Sequence, residues 1–352
     1  MDAKERVLTA CAFEQPDRIP IFDSFWEYPD AWRRRLGDPE GLTDIKIWVP
    51  EEAPFPTRAR PIKKEGGWIY EVDSYGRTVR RREGAYFCET LQVPMPAGTD
   101  IDRVQFDPPD LEARYLRGGT QAEVDAALAR DKARHCVFAK TGGPYLRTTY
   151  VRGEAQFLMD IAGDPLLAKA LADKMAAHLA AVGVQELERW ALHDTGIFIY
   201  DDMAHNGGPM FSPHSFERIF LPAYRYMVRA YKEAGARYVF VHSDGDIRPL
   251  LDMLIDAGVD GINPLERRAN MDIVALREQY PGLVLIGGMD NTDALIHGPV
   301  ERVVRETKEI VALGRDGGVV IGTHSVSPEI PLEHFVAYRE ICLTAGQFTA
   351  NG

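Results

Sequence analysis

The sequence predicts an α/β fold, a (β/α)₈ barrel, on three observations. Eight short runs rich in Val, Ile, Phe and Tyr recur along 352 residues. Helix-like stretches separate most of them, as in chains that alternate strand and helix. The runs are continuous rather than alternating in polarity, which suits strands buried on both faces of a parallel sheet. Barrels of this length often fold as one unit, so residues 1–352 are read as one barrel domain.

In chain order the runs are RIPIFDSF (18–25), DIKIWVPE (44–51), HCVFAKTGG (135–143), GIFIYDDMA (196–204), YVFVHSDGD (238–246), GVDGINPLE (258–266), LVLIGGMDN (283–291) and GVVIGTHSV (318–326). GGWIYEVDSYGRTVRRREGAYF (66–87) breaks the rhythm and predicts a β-hairpin inserted after the second strand, with SYG as its turn. Residues 165–194 are Ala/Leu-rich with apolar positions at helical spacing. Residues 212–235 predict a second long helix, with Ser212 as N-cap, Pro213 at the first helical position and Gly235 at the end. No internal repeat or low-complexity tract interrupts the pattern.

The chain is 45% hydrophobic and 27% charged, as in a globular protein with a large core. Its net charge is −12 and its pI about 5.3. Nucleic acid is an unsuitable partner, because phosphates are held by clustered Lys and Arg, and an anionic membrane surface is disfavoured on the same ground. Cys11, Cys88, Cys136 and Cys342 form no C-x-x-C pair, so they are read as reduced thiols of a cytoplasmic protein. The charged opening MDAKERVLTACAFEQPDRIP has no signal-peptide character. No apolar run approaches the roughly 18 residues of a membrane helix.

Barrel enzymes build their sites at the C-terminal ends of strands. The fourth run ends in Asp201-Asp202, followed by His205 and Asn206; the fifth ends in His242-Ser243-Asp244. The sixth ends in Asn263-Pro264-Leu265-Glu266, the seventh in Met289-Asp290-Asn291 and the eighth in Thr323-His324-Ser325. Two histidines with carboxylates can hold a divalent metal, and imidazole suits zinc. His242 and Asp244, two residues apart in extended chain, point the same way. His324 and Glu266 complete the candidate ligands. The same groups can equally form a hydrogen-bonded polar cluster without a metal, since no local spacing like H-E-x-x-H marks them.

At these residues the chain resembles the uroporphyrinogen decarboxylase superfamily, and the resemblance spans almost its whole length. ERVLTACAFEQPDRIPIFD is similar to that family's N-terminal helix and first strand. DIKIWVPEEAPFP with YGRTVRR, YDDMAHNGGPMFSPHSFERIFLPAYRYMVRAYKEAG and GTHSVSPEIPLEHF resemble the branch containing corrinoid-dependent methyltransferases. The porphyrinogen decarboxylases carry an RQAGR segment after the first strand that grips substrate carboxylates. Here FDSFWEYPDAW offers no arginine before Arg33, which argues against a porphyrinogen substrate.

The methylcobamide:coenzyme M methyltransferases of the superfamily bind zinc through a His-x-Cys pair and a late Cys. By that resemblance His242 matches the first ligand, while Asp244 and His324 stand where the cysteines would be. This harder donor set suits an oxygen leaving group better than a thiol acceptor. The resemblance therefore implies a zinc-dependent methyltransferase that moves a methyl group from a small methoxylated compound to the Co(I) of a corrinoid carried by a partner protein, as in anaerobic O-demethylation. It also implies pairing into a homodimer. A decarboxylase or lyase acting on a small acid, a methylcobamide:thiol methyltransferase and a non-catalytic binding barrel are the alternatives.

Asp202 matches an acidic position common in the superfamily and is assigned to catalysis, orienting a ligand histidine or acting as a general acid. Glu266 is assigned to catalysis as well as to the metal; a salt bridge with Arg267 or Arg268 is its ordinary alternative. His205, Asn206, Trp26 and Met289 are assigned to substrate, Trp26 together with Phe25 and Tyr28 as an aromatic wall. Asp246 is read as a helix N-cap; Asp290 and Asn291 are read with Met289 as wall residues, a helix cap being the alternative for Asp290. Lys140 and Tyr145 flank a Gly-Gly-Pro turn and receive no role. For a decarboxylase, Arg248 and Arg267 are the nearest cations.

Overall fold

In the computed structural model, which describes residues 1–25, 27–85, 87–344 and 347–348, strands and helices alternate as the sequence predicts. The strands are β1 (Ile45–Ile47), β2 (Arg60–Glu65), β3 (Trp68–Val72), β4 (Thr78–Arg82), β5 (Glu89–Gln92), β6 (Cys136–Gly142), β7 (Gly196–Tyr200), β8 (Ala204–His205), β9 (Gly208–Pro209), β10 (Tyr238–His242), β11 (Gly261–Asn263), β12 (Val284–Met289) and β13 (Val319–Thr323). Seven of them form a parallel sheet in the order β1-β6-β7-β10-β11-β12-β13.

The eighth position belongs to the first apolar run, which makes bridges rather than a full strand. The Phe22 N–H donates to the Ile321 carbonyl (2.8 Å) and the Ile321 N–H to the Pro20 carbonyl (2.9 Å). On the other flank, the Asp44 N–H donates to the Ile21 carbonyl (2.7 Å). The segment thus joins the two edges of the sheet and closes the (β/α)₈ barrel. Pro20 lacks an N–H and interrupts the ladder. The Asp44 carboxylate supports the seam, accepting from the Ile21 N–H (2.8 Å), Arg6 Nη1 (2.9 Å) and Arg18 Nη1 (2.8 Å).

Alternation along each strand sends every second side chain inward. Phe138, Phe198 and Phe240 meet inside the barrel, with ring centroids 5.4 Å (Phe138–Phe198) and 5.1 Å (Phe198–Phe240) apart, among Ile45, Val284, Ile286 and Val320. Two residues further along the same strands come Lys140, Tyr200 and His242. The layer above the aromatic floor is therefore polar, and it forms the mouth.

Outside, the helix Pro165–Arg189 packs against Leu221–Glu233. Asp164 caps the first helix by accepting from the Leu167 N–H (3.1 Å). Ser212 caps the short turn Pro213–Ser215, accepting from the Ser215 N–H (3.0 Å), and a π-helical stretch, Phe216–Phe220, leads into the second helix.

The predicted hairpin is β3–β4, pairing Trp68 with Arg82 and Val72 with Thr78 around Asp73–Arg77. The insertion is larger than predicted: β2 and β5 flank the hairpin in a four-stranded antiparallel sheet. RPIKKE and ETLQ are exposed along their whole lengths, so no apolar face marked them as strands.

Candidate metal centre

Each ligand candidate is held by a neighbouring strand end. In the parallel register His242 lies between Tyr200 on β7 and Asn263 on β11. The Tyr200 ring stacks on the imidazole at 4.1 Å and 13°. Asn263 turns its Oδ1 to His242 Nδ1 at 2.6 Å while its own Nδ2 donates to the Ile286 carbonyl (3.1 Å). An acceptor at Nδ1 fixes the proton there and leaves Nε2 as the free lone pair facing the mouth.

Gly245, two residues beyond the imidazole's neighbour, has φ +83°, and a Cβ there would sit 2.6 Å from the Ala204 carbonyl carbon. Only glycine fits both demands, and the tight turn carries the chain past β8 with Asp244 still at the mouth. The Asp244 N–H donates to Asp202 Oδ1 (3.2 Å). His324 follows β13 in a loop tied on both sides by Asn291, which accepts from Thr323 Oγ1 and donates to the Ser325 carbonyl (3.0 Å).

The three side chains converge. Asp244 Oδ1 is 3.8 Å from His242 Nε2 and 3.5 Å from His324 Nε2, and one ligand atom from each residue lies within 4.8 Å of the others. Ligand atoms about 2.0–2.1 Å from a tetrahedral zinc stand roughly 3.3 Å apart, so a small contraction makes this a coordination shell. Among the described residues Asp244 Oδ1 is buried without a hydrogen-bond partner. A buried carboxylate oxygen left unpaired is costly, and a cation removes the cost. Burial pushes His242 down, against the pull of Asp202; it pushes His324 down, against Asp244; and it pushes Asp244 up, against His324. The histidines are therefore held in the neutral form that metals require. Two neutral imidazoles and a carboxylate fit zinc.

Asp202 sits beside the cluster, its Oδ1 3.9 Å from His242 Nε2. Its neighbour Asp201 has a different task. It is buried and accepts from the Leu146 N–H (2.6 Å), the Tyr145 N–H (3.2 Å) and Tyr224 Oη (2.9 Å). Burial raises it to about 7, although these donors oppose the shift. The Gly-Gly-Pro turn makes room for it: a Cβ on Gly143 would lie 2.3 Å from that of Asp201. What approaches this turn closely is the protein's own carboxylate.

The remaining candidates are more scattered. Glu266 lies outside the three-residue group, and its Oε2 is 3.8 Å from Arg268 Nε. Burial raises its carboxyl, with Arg268 opposing. It lines a second cavity shared with Asp244, His324, His205 and Asn206. His205 and Asn206 ride on the β8–β9 ribbon, and His205 Nδ1 already accepts from the Gly207 N–H (3.0 Å). Met289 turns away from the mouth into the core, where its sulfur meets Thr307 Oγ1 (3.6 Å), so it is not a wall residue. Inward and outward positions alternate along β12, and Gly288 takes the inward one. Phe25 lines the main cavity; Trp26 lies outside the described residues. Asp290 caps its helix through the Asp293 N–H (2.7 Å), the second of its two expected roles; Asp246 is not the N-cap, a position Ile247 holds, and instead accepts from the Arg248 N–H (3.2 Å) and guanidinium.

A cavity of about 780 Å³ joins the His242–Asp244–His324 cluster to Lys140, Arg147 and Tyr150. Arg147 Nε lies 2.6 Å from Glu52 Oε1, and Lys140 Nζ is 3.5 Å from the same oxygen. No residue pattern marks this pairing in advance, because Glu52 follows β1 in a loop. Arg248 is instead bound to Asp246, and Arg267 to Asp272 and Glu309.

A parallel barrel whose β10 and β13 ends bring a His/Asp/His cluster to one mouth belongs to a recognisable class of proteins. This chain is a member of the uroporphyrinogen decarboxylase (URO-D) family, whose model matches residues 83–343. Its fold is similar to that of a solved methyltransferase from Methanosarcina mazei, at 17% identity, a TM-score of 0.64, and coverage of 97% of this chain and 98% of that one. No curated protein matches the chain. Among the described residues no helix is long and apolar enough to cross a membrane.

Proposed function

We propose that the chain is a zinc-dependent methyltransferase that moves a methyl group from a small methoxylated compound to the Co(I) of a corrinoid carried by a partner protein. The observation that carries this reading is the His242–Asp244–His324 group with its unpaired Asp244 oxygen, set at the wall of a large cavity. The fold shared with a solved methyltransferase supports it.

Zinc held by these three residues would supply Lewis acidity toward the oxygen that loses its methyl group. The protein's own groups do the rest. Asn263 and Tyr200 hold the His242 ring in position and in one tautomer. Asp202, open to the cavity and close to His242 Nε2, is placed to hold or deliver the proton that the leaving oxygen takes up. Glu266, which burial biases toward its protonated form, offers a second proton source from the adjoining cavity. His205 and Asn206 on the rim are positioned to touch the substrate.

Elemental analysis tests the metal first. The expected result is about one zinc per chain in the wild type and loss of the metal in both His242→Ala and His324→Ala. Methyl transfer from methoxyaromatics to Co(I) corrinoid should then fail in those variants. Metal-free protein with full activity in chelator would sink the proposal.

A second reading, decarboxylation of a small acid, draws support from Lys140 and Arg147 in the cavity. Carbon dioxide release without any corrinoid is the outcome that would select it.

A further inference from the structure

The cation at one end of the cavity has no counter-ion of its own. Glu52 is matched by Arg147, whose Nε and Nη2 both lie 2.6 Å from Oε1, and it also accepts from the Gly142 N–H and from Tyr75 Oη (3.3 Å). Lys140 Nζ reaches the same oxygen only at 3.5 Å, the long limit of a hydrogen bond. The nearest other carboxyl, Glu186, accepts from the Lys140 backbone N–H (3.0 Å), and burial holds it well above the ordinary range, toward the neutral acid. One carboxylate therefore faces two basic side chains, Arg147 buried and Lys140 half-buried; burial lowers Lys140 and Glu52 opposes that shift. An ammonium has three donors, and here it spends one, weakly.

Its position relative to the metal cluster is set by strand order. Lys140 on β6, Tyr200 on β7 and His242 on β10 occupy the same inward layer of neighbouring strands. The ammonium lies 5.1 Å from the Tyr200 ring centroid and the His242 ring 4.1 Å from it. One aromatic ring separates the two groups within one cavity. The lining of the cavity they share includes aromatic and apolar side chains, Phe25, Ile47, Leu146, Tyr150 and Tyr200, beside polar ones such as Asp202 and Asn263.

We propose that Lys140 forms an anion-binding subsite that takes a carboxylate, so that the ligand of this barrel is an acid whose body spans from Lys140 to the His242–Asp244–His324 group. This rests on the proposed function only in calling that ligand the methyl donor. The subsite itself follows from the excess cation and would serve the decarboxylase reading equally.

The test compares binding of para-methoxybenzoate with its neutral amide by calorimetry, on the protein as purified and on three variants. The wild type should prefer the acid. Lys140→Met should bind the acid at least about 30-fold more weakly, the loss expected when one partner of a buried charge pair is removed, and should no longer prefer it to the amide. Lys140→Arg, which keeps the charge, should retain the preference and provides a folded control if the Met variant is unstable. His242→Ala should retain it too. Equal binding of acid and amide by the wild type, unchanged binding by Lys140→Met, or a preference that disappears in His242→Ala would overturn the proposal. Lys140-dependent acid binding without methyl transfer would uphold the subsite and sink the methyltransferase reading. Methyl transfer from neutral ethers with no acid preference would do the reverse.

Discussion

Asn263 decides which nitrogen His242 presents. With Oδ1 2.6 Å from Nδ1, and with its own amide committed to the Ile286 carbonyl, it accepts a proton-bearing Nδ1 and frees Nε2. Groups in this position commonly change metal affinity 10- to 100-fold when removed. Asn263→Ala should weaken zinc binding by about that factor in competition with a chromophoric chelator, with the fold intact. Asn263→Asp keeps an acceptor and should retain most of the affinity. Unaltered affinity in the alanine variant would mean that Tyr200 stacking alone orients the ring. His242, Asp244 and His324 were legible in the sequence because each ends an apolar run, and barrels put chemistry there. Asn263 also ends a run, but its role depends on which strand lies beside β10, and a list of strand ends does not contain that information. Glu266 shows the converse. It too follows a strand end, yet the turn after β11 carries its carboxylate to Arg268.

Elements add a constraint that single residues do not show. The helix Pro144–Arg152 begins against Asp201, and the two glycines before it exist for space rather than flexibility. A Cβ on Gly142 would lie 2.1 Å from Arg147 Nε, and one on Gly143 2.3 Å from Asp201. Overpacking of this kind typically costs 1–3 kcal/mol. Gly143→Ala should therefore lower stability by at least about 2 kcal/mol in urea denaturation and displace the Asp201 carboxylate from the helix start. A neutral result would show that the helix can shift at little cost. The same turn illustrates what sequence reading can reach. Gly-Gly-Pro after an apolar run announces a close approach, but the approaching group lies on another strand. The inserted sheet was half legible for a simpler reason. β3 and β4 carry Trp, Ile, Tyr and Val, whereas the charged, exposed β2 and β5 resemble loops until their partners are known.

At the scale of the whole molecule, stability in acid should depend on Glu52. Burial would raise this carboxyl, but Arg147 and Lys140 outweigh that effect and hold it at about 2. A carboxyl depressed in the folded state contributes stability above its unfolded value, roughly 4.3, and loses it as pH falls toward its folded value. Wild-type stability should therefore decline between about pH 4.5 and 2, and the decline should be shallower in Glu52→Gln. The variant should also be less stable at neutral pH by about 3–5 kcal/mol, because Arg147 and Lys140 lose their shared anion. Parallel curves for the two proteins would place the acid lability elsewhere. Closure of the barrel could be read from eight apolar runs, but the weakness of the first could be read only at Pro20, where the ladder loses a donor.

The seam beside β13 has a consequence for how the protein is made. Residues 20–25 leave the ribosome long before their partners on one flank, Ile321 and Thr323. At about 5–20 residues per second, the nascent chain waits many seconds with an open sheet edge and an incomplete His242–Asp244 pair. The strand that seals the barrel also delivers His324, so synthesis yields a closed wall and a complete His242–Asp244–His324 group in one late event. A ribosome that stalls before this strand releases a chain lacking both, with two unpaired edges for chaperones and proteases to recognise.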